Sequence, residues 1–106
     1  MIVAEKEIMR IEDLTLWEAF RWVAKEKSFT KAAANMRIGT PVLSKKIARL
    51  EEQLGARLFQ RSTRTVGLTE EGRSLLPHVD ALLNDAHSLA MLFEDKSRLR
   101  GTIRMT

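Results

Sequence analysis

Thr30-Lys-Ala-Ala-Ala-Asn-Met-Arg-Ile-Gly-Thr-Pro-Val-Leu-Ser-Lys-Lys-Ile-Ala-Arg-Leu-Glu-Glu-Gln-Leu-Gly55 contains two helical runs separated by Gly39, Thr40 and Pro41. Thr40 is of a type that caps helix N-termini, and proline suits a first helical turn because its missing N–H has no intrahelical partner there. The spacing predicts helices over 31–37 and Pro41–Leu54, with Gly55 at the left-handed stop. At about 100° per residue, Leu43, Ile47, Leu50 and Leu54 share one side of the second helix. Pro41, Val42, Lys45 and Arg49 take the opposite side. One face anchors while the other presents small and cationic groups, a division that fits the major groove of duplex DNA. A plain helical hairpin with solvated lysines has the same charges, so charge alone does not separate the two readings.

The flanks add what the hairpin lacks. From Thr15 to Lys25, Leu16, Trp17, Phe20, Val23 and Ala24 recur at helical spacing, predicting an amphipathic helix with an aromatic core face. Ser28-Phe29-Thr30 interrupts it, with Thr30 as the expected cap of the next helix. Ala32, Ala33 and Ala34 are small enough for two helices to cross closely. Beyond Gly55, Leu58-Phe-Gln60 and Thr65-Val-Gly-Leu68 are β-prone runs around Arg61-Ser-Thr-Arg64, a pattern that predicts a small hairpin. Thr69-Glu70-Glu71 then opens a long helix with a cap and first-turn acids. Leu75, Val79, Leu82, Ala86, Leu89 and Phe93 step by four and three along it, and Leu76, Leu83 and Ala90 widen the stripe. Pro77 is expected to remove a hydrogen bond and bend this helix. The expected organisation is therefore an N-terminal extension (1–12), a helical domain with a hairpin (13–69), a linker helix (70–95) and a hinge (96–106). The ending Leu99-Arg-Gly-Thr-Ile-Arg-Met-Thr106 reads as a linker entering a strand that is cut off, as in a fragment.

Composition narrows the function. A chain of 106 residues supports one small domain with an appended helix. Residues 28–73 hold nine basic and four acidic side chains, a local excess of +5, while the whole chain carries +4. A basic segment in an otherwise balanced chain points to a polyanionic partner. The absence of cysteine excludes disulfides, zinc fingers and thiol catalysis, and His78 and His87 alone make no convincing metal site. No apolar run approaches the roughly 20 residues of a membrane span. The N-terminus has acids where a signal peptide has an apolar core, so a cytoplasmic, nucleoid-associated protein is expected. Neither a catalytic pairing nor a cofactor or metal motif emerges.

With the second helix in the major groove, Thr40, Pro41, Val42 and Lys45 face base edges, Pro41 and Val42 suiting thymine methyls. Thr30, Lys31 and Ser44 reach phosphates and fix register, as does Arg49. In the hairpin, Arg61 meets phosphate and Arg64, at the tip, reaches a narrow minor groove. Glu51 and Glu52 sit in the far half of the helix, away from the phosphates. A helix of roughly 25 residues is about 37 Å long, more than so small a domain covers. Its uncovered stripe (Val79, Leu82, Leu83, Ala86, Leu89, Ala90, Phe93) is expected to pair with a second copy.

Phe20, Ser28-Phe-Thr-x-Ala-Ala33, Pro41-x-Leu-Ser44, Ile47-x-x-Leu-Glu51, Leu54-Gly55-x-x-Leu-Phe59-x-Arg61 and Leu68-Thr69-x-x-Gly72 together resemble the N-terminal domain of LysR-type transcriptional regulators. The likeness covers residues 14–95, and Gly101-Thr-Ile-Arg is similar to the family's entry into an effector domain. The resemblance implies a mainly α fold: a winged helix-turn-helix of three helices and a hairpin wing, then a long dimerisation linker helix. It implies binding of double-stranded DNA at an interrupted palindromic operator by a homodimer, with tetramers in full-length proteins and no membrane. Base contacts carry over to Thr40, Pro41 and Lys45, phosphate contacts to Thr30, Lys31, Ser44 and Arg61, and the wing contact to Arg64. Four positions depart. Gly39-Thr40 stands where many members have Ser-Gln, Lys45 where arginine is frequent, and Trp17 where leucine is common, the last a change expected to alter packing only. Thr offers one hydroxyl where Gln bridges adenine twice, and Lys lacks the fork that grips guanine. A protein-interaction module led by the heptad helix is the competing class.

Overall fold

In the computed structural model the described residues are 14–62 and 65–100, the side chains of 96–100 excepted. The expected N-terminal extension, the wing tip with Arg64, and residues 101–106 lie outside them. Helix α1 (Leu14–Glu26) buries Leu16, Ala19, Phe20 and Val23, the one-face spacing of an amphipathic helix. Helix α2 (Phe29–Met36) begins two residues before the position that the sequence predicts. Its cap is Ser28 and not Thr30. Ser28 is extended, and its hydroxyl accepts the Lys31 N–H at 3.1 Å. Arg37 ends α2 in the left-handed region at φ 60°, a conformation costing a non-glycine residue roughly 1–2 kcal/mol.

Helix α3 (Thr40–Leu54) follows after a short turn. Here too the cap differs from expectation: Gly39 holds the N-cap position without a side-chain bond, and Thr40 is already helical. Gly55 is left-handed at φ 70°, and its N–H reaches the Glu51 carbonyl at 2.8 Å. Leu43, Ile47 and Leu50 are buried with Phe20, Val23, Leu58 and Phe59, making seven large apolar side chains almost without exposure. Each is worth about 1.5–3 kcal/mol, whereas an exposed ion pair is worth at most about 1 kcal/mol, so packing dominates. Ala32 and Ala33 are buried at the crossing, and Ala34 is exposed.

The wing is an antiparallel pair, β1 (Phe59–Arg61) and β2 (Val66–Leu68), in the register Phe59 to Leu68, Gln60 to Gly67 and Arg61 to Val66. Arg61 thus belongs to the strand and not to the turn. Ser62 and Thr65 close the turn: the Thr65 carbonyl accepts the Ser62 N–H at 3.0 Å, and the Ser62 hydroxyl accepts the Thr65 N–H at 3.1 Å. Two side chains lock the wing to the helices. Glu51 accepts the N–H groups of Leu58 and Phe59 at 2.8 and 3.3 Å. The Thr69 hydroxyl donates to the Arg57 carbonyl at 2.6 Å and accepts the Gly72 N–H at 3.0 Å, capping the last helix. Gly72 is obligatory for close approach, because a Cβ there would overlap the Leu58 carbonyl oxygen.

Helix α4 (Glu70–Arg100) is continuous through Pro77 and runs past residue 95, where the sequence ends the linker helix. Its first turns pack on the domain. Leu75 and Leu76 lie against the core, and Val79 and Leu83 are only 3% and 5% exposed. Arg21 of α1 reaches Asn84 Oδ1 at 3.2 Å and Asp80 Oδ1 at 3.7 Å, fixing α4 across α1. The expected partner-facing stripe therefore needs correction: Val79 and Leu83 belong to this chain's own core. The 4-3 periodicity marks an apolar face but not what covers it. Farther along, Leu82, Leu89, Met91, Leu92 and Phe93 are exposed, Leu89 by 68% and Phe93 by 74%. Ala86 is half-buried and Ala90 exposed.

Candidate nucleic-acid interface

The apolar anchoring of α3 determines what its other side presents. With Leu43, Ile47 and Leu50 fixed in the core, Pro41, Val42, Lys45 and Arg49 stand exposed on the opposite side. Val42, 48% exposed, is an apolar side chain with no covering partner within the domain, as a thymine-methyl contact requires. Thr40 and Ser44 are half-buried at the near edge of this face. Gly39 leaves the first α3 amides without a side-chain acceptor, so the helix end retains its partial positive charge.

Thr30 and Lys31 are exposed in the first turn of α2, which packs on both α1 and α3. Arg61 is exposed on β1, with its guanidinium carbon 4.4 Å from the centroid of the Phe29 ring. Phe29 stacks edge-on against Phe59 at 6.2 Å, and Phe59 lies 5.4 Å from Phe20. An aromatic path therefore leads from the α1 core face to the wing arginine. Helix α3, the start of α2 and the wing strand all stand on one core. Arg64 lies outside the described residues.

Two side chains that position this surface are not assigned a role by sequence reasoning. Glu51 is read there only as a carboxylate kept from phosphate, yet it ties α3 to β1 and lies 3.7 Å from Arg57. Its signal is a carboxylate directly after buried Leu50, with strand N–H groups still to be satisfied seven and eight residues on. Phe29 is read as part of an interruption, although an aromatic beside a cap residue is a packing signal. Trp17 is half-buried and meets Phe20 edge-on at 6.4 Å, a packing arrangement in keeping with its apolar character. Among the described residues, no group of three or more His, Asp or Glu side chains is placed to hold a metal ion, and no helix is long and apolar enough to cross a membrane.

Three helices, the third with one exposed face, and a two-stranded wing define a winged helix-turn-helix protein with a long C-terminal helix. The chain belongs to the bacterial regulatory helix-turn-helix protein family of lysR type, whose sequence pattern matches residues 14–73. It is 42% identical over 99 residues to the HTH-type transcriptional regulator PgrR of Escherichia coli, covering 92% of this chain and 33% of that protein. Among solved structures it is similar to the BenM_DBD/catB site 1 DNA complex, with a TM-score of 0.75 and 34% identity over 79% of this chain and 94% of that one. Vibrio fischeri DarR in complex with DNA matches with a TM-score of 0.74 and 30% identity, over 86% of this chain and 31% of that one. The chain thus spans about a third of PgrR, and 47% and 50% of two further curated relatives.

Proposed function

We propose that this chain is the DNA-binding part of a cytoplasmic transcriptional regulator, reading duplex DNA as a dimer. The observation that carries this reading is the exposed Pro41-Val42-Lys45-Arg49 face of α3, set opposite its buried Leu43-Ile47-Leu50 row. Thr40, Pro41, Val42 and Lys45 meet base edges in the major groove, while Thr30, Lys31, Ser44, Arg49 and Arg61 hold phosphates. Arg64 enters the minor groove beside them. The relatives support the assignment, since solved structures of BenM_DBD and DarR contain DNA.

Dimerisation rests on the far half of α4, where Leu82, Leu89, Ala90 and Phe93 are exposed and Ala86 is half-covered. Two copies joined there would present two reading heads to an interrupted palindrome. The reading assigns the chain no catalytic step. In a longer protein, further domains would follow α4 and favour tetramers.

Selection of bound sequences from a random duplex pool, repeated with Lys45→Ala, tests this reading. The expected product is a pair of inverted half-sites. Lys45→Ala should weaken the selected site about tenfold, in the range of one lost base contact, and random duplex less than twofold. Unchanged discrimination by the variant would place the reading face elsewhere.

A further inference from the structure

The Arg61 guanidinium sits over the Phe29 ring, its central carbon 4.4 Å from the ring centroid. Phe29 is itself held: it is the first residue of α2, immediately after the Ser28 cap, and it meets Phe59 edge-on at 6.2 Å. Phe59 and Arg61 lie two residues apart on β1, so alternation puts both side chains on the same side of the strand. Phe29 therefore touches both, and one ring links the helix-turn-helix to the wing. The Arg61 side chain makes no hydrogen bond or ion pair among the described residues, so the ring is what fixes its direction. A cation held over a ring face by charge keeps its N–H donors available for another acceptor.

We infer that Phe29 is a positioning residue for DNA backbone binding. It orients the Arg61 guanidinium in the free protein, so that the wing contact forms without first ordering a long, freely rotating side chain. This inference rests on the proposed phosphate role of Arg61. It also gives the Ser28 cap a purpose beyond helix stability, because the cap fixes where Phe29 enters α2.

The test is a double-mutant cycle on random duplex at fixed salt, with Phe29→Leu, Phe29→Trp, Arg61→Ala and the Leu/Ala double variant. Phe29→Leu keeps apolar volume but has no ring face, and should weaken binding about two- to fivefold, the range of a cation–ring contact. Phe29→Trp, which keeps the ring, should bind within twofold of the parent. In the Arg61→Ala background Phe29→Leu should add nothing. Equal weakening by Phe29→Leu in both backgrounds would show general loosening and overturn the inference. Loss with Arg61→Ala but none with Phe29→Leu overturns it as well, while leaving the DNA-binding reading intact. No loss with Arg61→Ala removes the phosphate role itself. An independent measurement needs no variant: ring-current shielding should move the Arg61 side-chain protons upfield in the free protein. Unshifted protons would refute the stack.

Discussion

Removing the Glu51 carboxylate should loosen the wing and lower stability more than any surface charge change. Leu58 and Phe59 are buried, with 0% and 1% exposure, and their N–H groups point to one Glu51 oxygen at 2.8 and 3.3 Å. The sheet cannot serve these donors. Opposite Leu58 the Thr69 carbonyl already accepts the Arg73 N–H at 2.9 Å, and Phe59 stands opposite Leu68 at a non-bonded position of the ladder. Glu51→Ala leaves both N–H groups without their acceptor, and each orphaned buried donor costs about 1–3 kcal/mol. Partial entry of water at the half-buried Glu51 position reduces the sum, giving an expected loss of about 2–4 kcal/mol. The Arg57 ion pair is a minor part, since it spans 3.7 Å and Arg57 is exposed. A domain of this size has about 5–15 kcal/mol in total, so the variant should unfold at markedly lower urea. Chemical denaturation followed by circular dichroism, at one protein concentration for all variants, measures this. Glu51→Gln retains one acceptor oxygen and should lose roughly half as much. A Glu51→Ala midpoint within about 0.5 kcal/mol of the parent would refute the clamp.

Two further outcomes follow from the same geometry. Ser28→Ala should cost about 1 kcal/mol through loss of the α2 cap, whereas Thr30→Ala should leave thermal stability nearly unchanged; melting curves of the two variants distinguish the observed cap from its neighbour. Leu89→Glu puts a charge in the exposed stripe of α4, away from the folded core, and should convert dimer to monomer in sedimentation without lowering monomer helicity.

How far the sequence reached differs by element. The two faces of α3 were readable because a 15-residue helix samples the 3.6 period four times. Hence Leu43, Ile47 and Leu50 fall inside, with Lys45 and Arg49 outside. The caps were not readable at the same precision, because Ser28 and Thr30 have equivalent chemistry; what decides between them is Phe29, which must start α2 to meet Phe59 and Arg61. β1 has three residues, too few for alternation to announce that Arg61 shares a side with Phe59. On α4 the apolar stripe was legible as a stripe, but its division between the core (Val79, Leu83) and the exposed half (Leu89, Phe93) depends on where α1 ends beneath it. The Glu51 bonds depend on the strand register, a non-local property. Sequence therefore located the exposed face of α3, whereas the side chains that hold the wing to it emerged only from the packing.

The most direct test of the central claim is the affinity of this chain for duplex DNA as a function of salt. Lys31, Arg49 and Arg61 as phosphate contacts predict that log K falls with log salt with a slope of about −3 per reading head, near twice that for a dimer with both heads engaged. Arg61→Ala should reduce that slope by about 1 per head. Absence of binding at micromolar protein in low salt, or binding indifferent to salt, would contradict the account and leave α4 as the centre of an interaction module.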